Sequence, residues 1–110
     1  MLSVVFYQSS AGRVPVLEWL RNLDTADRQS IGADLHRVQM QWPLGMPLCK
    51  NLSGGLWEVR CTLQGGRIAR LLFCLRGSDI IVLHGFFKST QMTPMVDLKI
   101  AKKRMKEVMR

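Results

Sequence analysis

The chain has 110 residues, 47% of them apolar, enough for one modest core without a metal or disulfides and too many for a disordered tail. No apolar run approaches the roughly 20 residues that cross a bilayer, which argues against a membrane partner. Sixteen Lys and Arg against eight Asp and Glu leave a net charge of +8, which points to RNA, DNA or an acidic protein.

Residues 2–7 are rich in β-formers and read as a first strand. With no basic n-region and no small-residue cleavage site, they do not read as a signal peptide, so the expectation is a cytoplasmic protein. Ser9-Ser10-Ala11-Gly12 is turn chemistry. Residues 13–22 then suit a short helix, with Pro15 where a missing N–H matters little and Leu17 and Leu20 facing the core. A second helix starts at Asp24 as N-cap, with Asp27 in its first turn. Ile31, Leu35, Val38 and Trp42 form its apolar stripe, and Pro43 stops it.

The second half alternates in strand fashion. Residues 56–62, 68–75 and 80–87 read as three antiparallel strands joined by turns at Gln64-Gly65-Gly66 and Arg76-Gly77-Ser78-Asp79. A short segment at 48–52 is able to add a strand before them. A last helix opens with Thr93 as N-cap and Pro94 at its first position, and Leu98, Ala101, Met105 and Val108 form its stripe. The order β-α-α-β-β-β-α describes a single α+β domain over 1–110. Its sheet is mostly antiparallel, with an N-terminal helical hairpin and a C-terminal helix packed on one face.

Cys49, Cys61 and Cys74 are odd in number, widely spaced and without a C-x-x-C pair, so they read as free thiols in a reducing compartment. With only His36 and His84 beside them, no metal site is expected. Asn51-Leu52-Ser53 matches a glycosylation pattern that has no use inside the cell.

Strand parity sorts the charges. Glu58, Arg60 and Thr62 share one face, while Trp57, Val59 and Cys61 share the face that packs on helices. Arg70 interrupts an otherwise apolar strand and needs an anionic partner or solvent. His84 and Lys88 have one parity at the end of the third strand. If the polar faces coincide, Arg60, Arg70 and Lys88, with His84 and Glu58, converge on one concave surface. Such a cluster suits phosphate binding and metal-free RNA cleavage, which needs a base, an acid and charge stabilisation at phosphorus. Plainer readings stand beside this one. Glu58 and Arg60 are able to form an ordinary same-face ion pair, Arg70 to pair with Glu58 or Asp79, and His84 to be a hydrogen-bonded core residue. Lys50 and the run Lys99, Lys102, Lys103 and Lys106, with Arg104 and Arg110, read either as solvated charge or as an RNA or ribosome contact. Trp19, Trp42 and Trp57 read as core.

The stretch Lys50-Asn51-Leu52-Ser53-Gly54-Gly55-Leu56-Trp57-Glu58-Val59-Arg60 resembles the K-x-L-x-x-G-L-W-E-L-R segment of phage Gp49-like, HigB-type toxins. Arg70 stands where that family has an arginine on the next strand. Leu83-His84-Gly85-Phe86-Phe87-Lys88-Ser89-Thr90-Gln91-Met92-Thr93-Pro94 is similar to its L-H-G-F-x-K-K-T-x-K-T-P block, and Asp97, Ala101 and Arg104 match its E-I-x-x-A-x-x-R helix. The likeness covers nearly the whole chain. It implies a RelE/ParE-superfamily fold and a type II toxin that cleaves mRNA on the ribosome without a cofactor. It further implies a helix-turn-helix antitoxin as partner, with operator DNA met only through that antitoxin. By the match, Arg60, Arg70 and Lys88 are the phosphate contacts. Ser89 and Met92 replace two lysines of the family block, which implies weaker RNA contact there. Two other functions stay open on the same residues: a ParE-like gyrase poison, and a non-enzymatic basic phage module binding nucleic acid or an acidic protein.

Overall fold

The computed structural model describes residues 1–89 and 92–110; Thr90 and Gln91, within the 83–94 block, lie outside the described residues. The elements in chain order are β1 (Ser3–Phe6), α1 (Pro15–Arg21), α2 (Thr25–Gln41), β2 (Cys49–Asn51), β3 (Trp57–Thr62), β4 (Ile68–Arg76), β5 (Asp79–Phe87) and α3 (Met95–Val108). The short segment before the meander is a strand, β2, at one edge of a five-stranded sheet ordered β1-β5-β4-β3-β2.

The sheet is mixed, not purely antiparallel. Strands β2 to β5 pair antiparallel in succession, while β1 lies parallel to β5, Val4 opposite Ile80 and Phe6 opposite Val82. β1 and β2 therefore occupy opposite edges, and the α1–α2 hairpin between them has to cross the full width of the sheet. Gly77 and Ser78 alone join β4 to β5; the left-handed φ of Gly77 (57°) suits so tight a hairpin.

Helices cover both faces, which corrects the expectation of one covered face. Val16 of α1 and Ile31, Leu35 and Val38 of α2 pack on Val59, Cys61, Ala69, Leu71, Phe73, Ile80 and Val82. On the opposite face Leu98, Ala101, Met105 and Val108 of α3 pack on Leu56, Leu72, Cys74, Ile81 and Leu83. The physical reason lies in β4 and β5, whose apolar runs leave neither face polar; such strands need cover on both sides. In α1 the buried residue is Val16 rather than Leu17, which is only partly buried. The three tryptophans border the α1–α2 core, Trp42 meeting Trp57 edge-on with ring centroids 4.8 Å apart.

Two helix starts differ from expectation in chemistry. Asp24 is the N-cap of α2 but makes no side-chain capping bond. Pro94, not Thr93, holds the cap position of α3. The Thr93 hydroxyl instead donates to Glu58 Oε2 at 2.7 Å.

A β-bulge in β5 decides which residues reach the site. Leu72 pairs with His84 and Phe73 with Val82, so Leu83 is an extra residue. Before the bulge Ile80 and Val82 face the α1–α2 layer. After it Gly85 and Phe87 meet Trp19 of α1, while Phe86 packs with the α3 layer. The even positions of β5 thus change face at the bulge, and His84 and Phe86 join the face of Arg70.

Candidate functional site

Three rows of side chains cross the α3 face of the sheet. The first runs Lys50, Glu58, Leu72, His84, each opposite the next in register. The second runs Arg60, Arg70, Phe86. The third holds Ile68 and Lys88, whose backbone N–H donates to the Ile68 carbonyl at 2.8 Å. Helix α3 covers the β4–β5 side of this face and leaves the β2–β3 side open. There Lys50, Arg60 and Arg70 border one carboxylate, Glu58; Lys88, just past β5, lies near enough to feel the charges of Arg60, Arg70 and Glu58 but lines a separate opening with Arg67, Ile68 and Phe87.

The carboxylate is the hub. Glu58 Oε2 accepts from Arg70 Nη1 at 3.4 Å and from the Thr93 hydroxyl at 2.7 Å, and Arg70 Nη1 also reaches Thr93 Oγ1 at 3.5 Å. Glu58 and Arg70 are only 3% and 5% exposed, so the pair sits in a low-dielectric floor. The plain reading of Arg70 as the partner of Glu58 therefore holds, whatever else Arg70 does. Arg60 is half-buried and Lys50 exposed. A cavity of about 110 Å³ opens over Glu58, Arg60 and Arg70, walled by Lys50 and by Met46, Pro47 and Leu48 of the α2–β2 loop.

Lys88 feels this field. Lost hydration, then the positive charges of Arg60 and Arg70, hold its ammonium below the usual lysine value, with Glu58 opposing them. A tetrahedral oxyanion placed among these groups would meet two guanidiniums able to donate in bidentate fashion and a lysine able to give up a proton.

His84 has a different setting. Its Nε2 lies 2.6 Å from Asp97 Oδ1 of α3, and its ring stacks on Phe86 with centroids 5.7 Å apart. Leu72 of β4 stands between it and Glu58 in the first row. The histidine thus ties the first turn of α3 to the sheet, beside the basic cleft rather than within it.

Lys99, Lys102, Lys103 and Lys106 are exposed on α3, away from its buried stripe, and do not line the cleft. Arg104 is held apart from that run: it donates to the Leu83 carbonyl at 2.8 Å and lies over the Tyr7 ring. Burial pushes its guanidinium below the ordinary arginine value.

Sequence reasoning missed Thr93 as a partner of Glu58 and the 43–48 loop as a wall. Thr-Pro before an amphipathic stripe reads as a helix cap, and no local pattern distinguishes a cap hydroxyl from one aimed across the sheet. Among the described residues no group of three or more His, Cys, Asp or Glu is placed to hold a metal ion. No helix among them is long and apolar enough to cross a membrane.

A family model described as Phage derived protein Gp49-like (DUF891) matches residues 18–106, which span every element of the site. No curated protein matches the chain.

Proposed function

This chain belongs to the phage-derived Gp49-like family, whose proteins are RelE/HigB-like toxins, and on that premise we propose that it is a type II toxin that cleaves mRNA on the ribosome. The observation that carries the reading is the register pair Arg60–Arg70 with Lys88 and Glu58 on the same open face. In this reading the whole chain is one toxin domain of RelE-like fold. It works in the cytoplasm and is silenced by a helix-turn-helix antitoxin that also carries it to operator DNA.

The reaction is transesterification without a metal. Glu58 takes the proton of a ribose 2′-hydroxyl as the 2′-oxygen forms its bond to phosphorus. Arg60 and Arg70 hold the non-bridging oxygens as charge builds on them. The bond from phosphorus to the 5′-oxygen breaks, and Lys88 gives that oxygen its proton. The products are a 2′,3′-cyclic phosphate and a 5′-hydroxyl. A bound phosphodiester offsets the charges of Arg60 and Arg70 that act on Lys88, which favours the protonated lysine the acid role needs. Lys50 and the exposed lysines of α3 add sequence-independent attraction to RNA and ribosome. His84 positions α3 through Asp97 and transfers no proton.

The test is a reconstituted translation reaction with the purified chain, message ends being mapped by primer extension. Cuts within translated codons with 5′-hydroxyl ends are expected, and Arg60→Ala is expected to abolish them. Intact message on elongating ribosomes overturns the proposal. A supercoiling assay run in parallel reports whether gyrase is the target instead.

A further inference from the structure

The 110 Å³ cleft is not the largest opening beside Arg60. A second cavity of about 640 Å³ lies between α2, the loop before β2 and the end of β3, lined in part by Asp34, Arg37, Leu44, Arg60 and Thr62. Met46, Pro47, Leu48 and Arg60 border both cavities, so the two form one groove with Arg60 at the junction. Its size lies within the roughly 300–1,000 Å³ range typical of small-ligand sites, whereas the basic cleft is far too small for more than a phosphate-sized group.

The chemistry of the two parts differs. The cleft is cationic. The larger cavity offers apolar wall from Leu44, Met46, Pro47 and Leu48, and one carboxylate beside one guanidinium. Asp34 and Arg37 lie one helical turn apart on α2, with Arg37 Nη1 3.9 Å from Asp34 Oδ1. Asp34 is the less exposed of the two, its side chain 20% accessible. A carboxylate has about four lone-pair sites, so the long contact with Arg37 leaves Asp34 acceptor capacity where it lines the groove. Arg37 is about half exposed, its side chain 55% accessible, and is able to swing over the opening.

We propose that this cavity seats the nucleobase adjoining the phosphate held at Arg60, and that Asp34 and Arg37 select guanine. The proposal rests on the reading of the basic cleft as a phosphodiester site. A planar base fits against the loop wall while its ribose phosphate reaches the junction at Arg60. Guanine offers two adjacent donors, N1–H and N2–H, to a carboxylate, and two acceptors, O6 and N7, to an arginine. Adenine has no such pair of adjacent ring and amino donors, and it would bring its N1 acceptor against the carboxylate. The less exposed side chain of Asp34 supplies the acceptor half of this pattern, and the half-exposed Arg37 supplies the donor half.

The experiment measures binding of guanosine and adenosine, each as 3′-phosphate and as 5′-phosphate, to the intact chain by calorimetry, with inorganic phosphate as a third probe. Guanosine phosphates are expected to bind about tenfold tighter than adenosine phosphates, the discrimination of one good base contact. Asp34→Asn and Arg37→Gln are each expected to erase that preference and leave inorganic phosphate binding unchanged. Arg37 lies on the surface, so its variant remains informative if substitution of the less exposed Asp34 disturbs folding in the other. Equal affinity for guanosine and adenosine phosphates, with inorganic phosphate still bound and Arg60→Ala weakening all of them, overturns the guanine site and leaves the cleft reading intact. Failure of every probe, inorganic phosphate included, overturns both.

Discussion

Arg70 Nη1 stands 3.4 Å from Glu58 Oε2, and neither side chain is more than 6% exposed. In so dry a place, removing one charge strands the other, which typically costs about 3–5 kcal/mol. Arg60, its register neighbour, is half-buried and keeps water within reach. The expected outcome is therefore a split. Arg70→Ala lowers the unfolding free energy by about 3–5 kcal/mol, whereas Arg60→Ala lowers it far less while removing cleavage. Urea denaturation of both variants at neutral pH checks this. Equal losses would place Arg60 in the structural floor with Arg70.

Gly85 fits only because it has no side chain. A Cβ there would lie 2.7 Å from Trp19 Cζ3 and 2.8 Å from Trp19 Cε3, and Trp19 is itself held against Phe87 with ring centroids 5.5 Å apart. Gly85→Ala is expected to push α1 off the sheet and destabilise by about 1–3 kcal/mol, the usual penalty of overpacking. Thermal melts of Gly85→Ala, Trp19→Leu and the double variant test the cause. If the contact is responsible, the double variant is more stable than the sum of the two single losses requires; strict additivity would place the strain elsewhere.

The bond between His84 Nε2 and Asp97 Oδ1, 2.6 Å long, joins β5 to the first turn of α3. If this tie is the work of His84, His84→Gln leaves growth arrest largely intact and speeds amide exchange in the first turns of α3. Hydrogen exchange and a growth assay on one variant separate the roles. Loss of arrest with α3 protection unchanged would make His84 a proton-transfer group and displace Lys88 or Glu58 from that part.

Most elements were legible because periodicity and turn chemistry are local. The α2 stripe of Ile31, Leu35 and Val38 is buried where its spacing places it, and Gly77 sits in the two-residue turn the sequence marks. The pairing of β1 with β5 was not legible, since nothing local in residues 2–7 tells a parallel edge from an antiparallel one. The site shows the same limit more sharply. Simple alternation along β5 would put His84 and Lys88 on the face of Ile80 and Val82, against α1 and α2 and away from Arg60 and Arg70. The bulge at Leu83 reverses that phase. One extra residue in a uniformly apolar run leaves no mark in the hydrophobic pattern, so the meeting of the two arginines with Lys88 had to be read from the backbone.

Lys88 carries the consequence of that meeting into pH dependence. Its ammonium is held below the ordinary value of 10.5 by lost hydration and by Arg60 and Arg70, against the opposing pull of Glu58. The folded chain thus releases this proton at lower pH than the unfolded chain. Between the two values the unfolded state binds more protons, so the contribution of Lys88 to stability rises with pH across that window. Below the window the penalty is present in full, and Lys88→Met is expected to raise the melting temperature at neutral pH and flatten the alkaline rise. A phosphate held between Arg60 and Arg70 cancels the charge that depresses Lys88, so saturating inorganic phosphate is expected to move its titration back toward 10.5. NMR titration of the Lys88 side-chain nitrogen with and without phosphate measures this directly. An unmoved or lowered midpoint, at phosphate concentrations that saturate binding, would mean that the anion sits outside the Arg60–Arg70 cleft and that its charge never reaches the lysine.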